Sequence, residues 1–394
     1  MLQKSLGNLF CFFALIPWVS FGINDFDSQP WPLLFGVVFI LSCGSAIKNP
    51  PYIALALFLS IFGLQISFAV TGSLSAFEAS RTIVNYASIF VVYLAFYNYL
   101  LRYRFPWKIF VFVNFIWIFF AFVEMFSPEI VKLIAERRTT KDRGVTSLAP
   151  ESTFFATYLF FNAWIMLEAN RFLVNKRLFF VLCVNVAGIL ILAKSTMVGL
   201  FVVVSGVFVL WYKLISFVIV LRNFVCVFVV PLGVFVVSMI DWSVVAGSRI
   251  VRVTIRVLEN PSLEKILLWD ASINQRVEAV VMSLHGSIYH NLLPAGLDTF
   301  VVTRDKIAGL YGDLFWYPTG SNKILSWIGT IVYELGVFGI VTLVVFIMMS
   351  YQGHRISRLN LMLLGLVLLA AVPLAFPLVP MLLALFAVNK RVLR

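Results

Sequence analysis

Apolar runs of about 20 residues, the length that carries an α-helix across a bilayer, recur along nearly the whole chain. In lipid every backbone N–H and C=O must be satisfied within the structure, so only helices and closed barrels cross. The runs are continuous rather than alternating ten-residue strands, which argues against a barrel. The expected fold class is therefore an all-α polytopic integral membrane protein. Composition agrees: 61% of residues are hydrophobic and 12% charged, against roughly 25% charged in soluble domains.

The runs fall at 6–23, 31–47, 52–72, 83–101, 107–126, 153–168, 178–193, 196–211, 223–240 and 323–349. A last apolar block, 359–389, is too long for one span and carries Pro373, Pro377 and Pro380, which predicts two short spans or a broken hairpin. The sum is about 12 crossings, with 11 as the alternative. No small-x-small cleavage site follows the first run, so it reads as a retained first helix. Cys11, Cys43, Cys183 and Cys226 all lie in apolar runs and read as small core residues rather than a disulfide framework.

Short-loop charges set the orientation. With a cytoplasmic N-terminus, the inside loops hold Lys48; Arg102, Arg104 and Lys108; Arg171, Lys176 and Arg177; Lys213 and Arg222; and Arg355 and Arg358. The C-terminal tail, with Lys390, Arg391 and Arg394, also falls inside. The organisation is then helices 1–5 over 1–126, an external basic loop over 127–152, and helices 6–9 over 153–240. A large external loop over 241–322 precedes the C-terminal helices and cytoplasmic tail, 323–394.

Two external segments break the bias. The first, 127–152, holds Lys132, Arg137, Arg138, Lys141 and Arg143. The second, 241–322, holds Arg249, Arg252, Arg256, Lys265, Arg276, Arg304 and Lys306. Long loops cross largely regardless of charge, which accounts for much of the second and less of the first. With a net charge of +12, an external anion site is the preferred reading. Nucleic acid is excluded for want of a soluble basic domain.

The long loop is rich in Val, Ile, Leu and Trp, which argues against disorder. In SRIVRVTIRVLE (248–259), Arg249, Arg252, Arg256 and Glu259 share one helical face at 100° per residue. That row faces either lipid headgroups or a diphosphate, which a planar guanidinium binds in pairs of hydrogen bonds. A second helix is predicted over 269–284, with Ser272, Arg276 and Ser283 on one face. HGSIYHNLLPAGLDTF (285–300) follows and reads as a glycine-punctuated turn carrying His285, Tyr289 and His290, with the histidines as general-base candidates.

Other chemistry is weakly represented. The sequence holds no GxxxxGK[ST] loop and no HExxH. Asp25 and Asp27 form a D-x-D able in principle to hold a divalent cation, although a polar turn is the preferred reading of two residues in so short a loop. With no HExxH, zinc hydrolysis is not expected. Glu124, Glu168, Lys194 and Glu334 sit within or at the edges of spans, where ionisable groups raise a functional hypothesis. DRGVTSLAPEST, just ahead of the run FFATYLFFNAWIM, sets Arg143 and Glu151 around a Gly144 to Pro150 segment that no regular helix could cover.

Four segments resemble one family, the bacterial O-antigen polymerases and ligases. RGVTSLAPESTFF is similar to an element opening a span there, ILAKST to a span end, SINQRVEAVV with HNLLPAGLDTF to its large loop, and NKILSWIGTIVYELGVFG to its closing helix. The order is right and the resemblance covers about 140–340. It implies a metal-independent, inverting glycosyltransferase using undecaprenyl-diphosphate-linked oligosaccharides at the periplasmic face of the bacterial cytoplasmic membrane, with a chain-length regulator and a flippase as partners. Two departures stand out. Pro150 precedes Glu151 instead of following it, and Ser321 and Asn322 stand where a ligase is expected to carry a histidine. The second favours a polymerase over a ligase. A flippase would show paired halves, and no such repeat is visible. The chemistry of the residues agrees independently: Glu151 or His290 is the candidate base, Arg143, Arg276 and the Arg249, Arg252 and Arg256 row can supply positive charge at the leaving group, and Arg137, Arg138 and Tyr289 are further candidate substrate contacts.

Overall fold

The computed structural model describes residues 1–20, 28–72, 74–132, 134–135, 144–173, 178–195, 197–199, 201–206, 267–268, 271–318, 320–351, 355–370 and 372–388. Among them the regular structure is entirely helical. Among the described residues three helices are long and apolar enough to cross a membrane: α3 (Ile53–Thr71), α4 (Ala76–Arg102) and α5 (Trp107–Phe126). This is the architecture of a helical membrane protein.

Two shorter helices, α1 (Leu2–Ala14) and α2 (Trp31–Cys43), pack on each other and against α4. A single turn, α6 (Pro128–Lys132), follows α5. Next come α7 (Ser152–Leu173) and α8 (Leu178–Ala187), the latter widening into a π turn at Gly188–Leu192. The later elements are α9 (Ala271–Tyr289), α10 (Phe300–Ala308), α11 (Trp327–Leu335), α12 (Val337–Ser350), α13 (Arg355–Leu369) and α14 (Leu378–Ala387). Helix α14 packs against α4 and α7 and is buried along nearly its whole length. In lipid such contacts are held by close van der Waals packing rather than by expulsion of water.

Three expectations change. The first apolar run does not stay helical to residue 23: α1 stops at Ala14, and Leu15, Ile16, Trp18 and Val19 bury in a non-helical turn. The run 323–349 breaks into α11 and α12 at Gly336 (φ +58°). There the Val337 N–H donates to the Leu292 carbonyl (2.7 Å), and a Cβ on residue 336 would strike that same carbonyl. A backbone crossing this close needs glycine. Third, His285 to Tyr289 are the last turn of α9 and not part of a turn segment, so the helix predicted over 269–284 runs on. The last block resolves as predicted into two helices, α13 and α14, separated at Pro373 and Pro377.

Candidate functional site

The site is built on the connection into α7. From Gly144 on it is buried and internally bonded, with Thr146, Ser147, Leu148 and Ala149 nearly inaccessible. Its buried anchor is Glu124 on α5. That carboxylate accepts from the Thr146 and Ser147 N–H groups (both 2.6 Å) and from the Thr146 hydroxyl. The Ser147 hydroxyl donates to the Trp117 carbonyl (2.6 Å), and Ser147 takes a left-handed conformation (φ +53°) that these bonds hold in place. Beneath it Trp117 stacks on Tyr158 (centroids 4.2 Å apart) and donates its indole N–H to the Leu15 carbonyl. Val145 N–H donates to the Leu192 carbonyl (3.0 Å), and a Cβ at Gly144 would collide with the Ala193 carbonyl. Hence only glycine lets GVTS lie against ILAKS.

Glu124→Leu is expected to destabilise the protein strongly, since it orphans two buried N–H groups at about 1–3 kcal/mol each. A lowered unfolding midpoint in detergent would show it. Glu124→Gln, which keeps one acceptor oxygen, should cost less.

Glu151 emerges half-buried at the start of α7, its carbonyl accepting from the Phe154 and Phe155 N–H groups (3.0 and 3.1 Å). Its side chain lines a cavity of about 440 Å³ at the end of the bundle where α3 stops and α4 begins. Pro150 and Phe154 flank it there, and Gln275 of α9 joins from the opposite chain segment. From α4 come Glu78, Arg81, Thr82 and Asn85; from the loop after α9 comes Asp298; from around α11 come Asn322, Lys323 and Glu334.

Local bonds fix these groups. Glu78 is the acidic member of a capping box, accepting from the Ser75 N–H (3.1 Å) while Ser75 accepts from the Glu78 N–H (3.2 Å). Tyr86 donates to Glu334 (2.8 Å), and Ser67 of α3 donates to the Glu334 carbonyl. Asn322 accepts from the Val301 N–H (2.8 Å) and also bonds Asp298. Burial and the nearby Glu78 raise the Asp298 carboxyl above its ordinary range, while Asn322 and Arg81 pull the other way. Arg81 is also within electrostatic reach of Glu334.

The chain matches no protein-family model, no curated protein and no solved structure. The predicted site residues are therefore weighed by position alone. Arg276 does not line the cavity but is tied to the first turn of α7: one N–H reaches the Thr153 hydroxyl (2.9 Å) and another approaches the Met197 sulfur (3.7 Å). His290 does not line the cavity. Its Nε2 pairs with the Thr303 hydroxyl (3.1 Å), and its ring packs edge-on against Tyr333. Burial and Lys306 lower its pKa. Tyr289 is exposed and stacks edge-on with His290, and His285 pairs with the Tyr311 hydroxyl (2.8 Å). Arg137, Arg138, Arg143, Arg249, Arg252, Arg256, Asp25 and Asp27 lie outside the described residues.

Sequence reasoning passed over Arg81, Asn85, Asp298 and Asn322 as site residues. Asp298 and Asn322 sit inside segments already singled out, GLDTF and NKILSW, and that was the available signal. Arg81 and Asn85 reach the cavity from α4 with no local motif to mark them.

Proposed function

We propose that this chain is a polysaccharide repeat-unit polymerase of O-antigen, capsule or exopolysaccharide type. It is an inverting, metal-independent glycosyltransferase in the bacterial cytoplasmic membrane, with about 12 crossings, both termini cytoplasmic and the site facing the periplasm. It moves a glycan from one undecaprenyl-diphosphate carrier onto another lipid-linked repeat unit.

One observation carries the reading: the four segments that resemble the family, far apart in sequence, bond to one another, and three of them line the cavity that holds Glu151. Val145 meets Leu192, Arg276 meets Thr153, and Leu292 and Ala295 meet Val337 and Tyr333 (2.7 and 3.1 Å). Asn322, at the place where a ligase would carry histidine, is taken up by Val301 and Asp298, which favours the polymerase.

The chemistry follows. Glu151 accepts the proton of the acceptor hydroxyl as that oxygen attacks the anomeric carbon from the face opposite the diphosphate. The sugar–diphosphate bond breaks and the leaving group departs with the electron pair. A diphosphate needs positive charge rather than a proton. Arg276 supplies it beside α7, and Arg143 and the Arg249, Arg252 and Arg256 row, outside the described residues, are further candidates by their chemistry alone.

Reconstitution with a defined undecaprenyl-diphosphate repeat unit is expected to give a ladder on a gel, unaffected by EDTA. No ladder, with full transfer to a lipid A acceptor, would sink the assignment. Loss of the ladder in EDTA would return Asp25 and Asp27 to consideration.

A further inference from the structure

The cavity has a chemical character the transferase reading leaves open. Among the described residues its walls carry more carboxyl groups than cations, with Glu78, Glu151, Asp298 and Glu334 set against Arg81 and Lys323. Arg81 stands among Glu78, Asp298 and Glu334 as their counter-charge. That is a poor setting for a diphosphate, whose charge would meet those carboxylates at close range.

Among the described residues no three His, Cys, Asp or Glu side chains converge on one point. The carboxyl groups are spread over the walls. Between them stand side-chain amides, Asn85, Gln275 and Asn322. The Asn85 carbonyl oxygen is buried and has no hydrogen-bond partner among the described residues, so it calls for a donor from whatever fills the space. Phe154, backed by the stacked Trp18 (5.6 Å), contributes an aromatic ring to the same wall. Dispersed planar acceptors beside an aromatic surface match a molecule with hydroxyls on its rim and C–H groups on its faces. The volume, about 440 Å³, falls within the usual range for small ligands, about 300–1,000 Å³.

We propose that this cavity is the acceptor-sugar subsite, that it takes an uncharged sugar through hydroxyls donated to Asn85, Gln275 and Glu151, and that it discriminates against acidic sugars. The diphosphate binds beside it, on the Arg276 side. The inference rests on the transferase reading for what the bound sugar does next, but binding can be read without turnover.

The experiment uses the full chain in lipid nanodiscs and ligand-observed NMR. The probes are methyl glycosides of neutral hexoses, 6-deoxyhexoses and N-acetylhexosamines, the matching uronic acids, and inorganic pyrophosphate. At least one neutral glycoside should bind saturably, with its uronic acid weaker by about tenfold or more, and pyrophosphate should not displace it. Asn85→Leu and Gln275→Ala should each weaken the neutral glycoside by about 3- to 10-fold, the worth of one hydrogen bond. Gln275, half-buried on a helix face, gives a folded variant even if Asn85→Leu does not insert. The inference is overturned if no neutral glycoside binds, if uronic acids bind as well, if pyrophosphate displaces the sugar, or if folded Gln275→Ala binds like wild type. A missing polymer ladder with sugar binding intact would count against the transferase reading alone. Lost binding with an intact ladder would count against the subsite alone.

Discussion

Glu151→Gln is expected to slow chain extension by about 100- to 10,000-fold, the range supplied by a positioned proton acceptor. The substitution keeps the shape and the helix-start carbonyl that receives the Phe154 and Phe155 N–H groups, so membrane insertion and unfolding temperature should hold. What it removes is basicity at the one carboxylate that sits on the chain entering α7 and faces both Gln275 and Asp298 across the cavity. Glu334, the other deep carboxylate of that wall, is already the acceptor for Tyr86. His290, the rival base, is turned to Thr303 and Tyr333 instead. Its lowered pKa, caused first by burial and then by Lys306, leaves it neutral over a wider pH range but a weaker base. His290→Ala should therefore cost far less than Glu151→Gln. The check is the initial rate of ladder growth from a defined lipid-linked repeat unit. Wild-type growth by Glu151→Gln, with collapse in His290→Ala, would move the base to His290.

The parts legible in the sequence were those decided locally. Span α5 was found to the residue, because Pro106 and Ser127 bracket an unbroken apolar run. The split of the last block into α13 and α14 followed from its prolines. The place of Glu151 at the start of α7 was legible because glycine and proline sit beside a charge at the edge of an apolar run. What escaped depended on contacts between distant residues. Hydropathy runs straight through Gly336, and only the Leu292 carbonyl arriving from the preceding loop explains the break between α11 and α12. The apolar residues after Ala14 looked like more helix, whereas Trp18 is buried in a turn, stacked on Phe154 and Phe376. Arg81 and Asn85 carried no motif: their meaning comes from Glu334 and Asp298, more than two hundred residues away in the chain and neighbours in the fold. The same holds for Glu124, which reads as an isolated charge in a span until Thr146 and Ser147 close on it.

Arg276→Ala is expected to lower the extension rate by about 100- to 1,000-fold, as when a preorganised electrostatic donor is removed from an active site. Helix α9 carries Gln275 into the cavity wall, and the next residue reaches across to the first turn of α7. The Thr153 hydroxyl at 2.9 Å and the Met197 sulfur at 3.7 Å fix the plane of the guanidinium two residues from Glu151. Arg276 is thereby tied to the turn that follows Glu151, as the proposed mechanism requires if a proton leaves the acceptor while negative charge grows on the diphosphate. Arg276→Lys tests whether the planar fork matters as well as the charge. A lysine keeps the charge but cannot present two parallel N–H groups, so it should restore only part of the rate. Thr153→Val removes the hydroxyl that orients Arg276 and should give a smaller loss than Arg276→Ala. Single-turnover measurements at saturating donor separate the roles. If Arg276 acts on the leaving group, the loss falls on the chemical step and not on donor affinity. A change confined to KM would reduce Arg276 to a binding contact, and wild-type turnover by Arg276→Ala would remove it from the site.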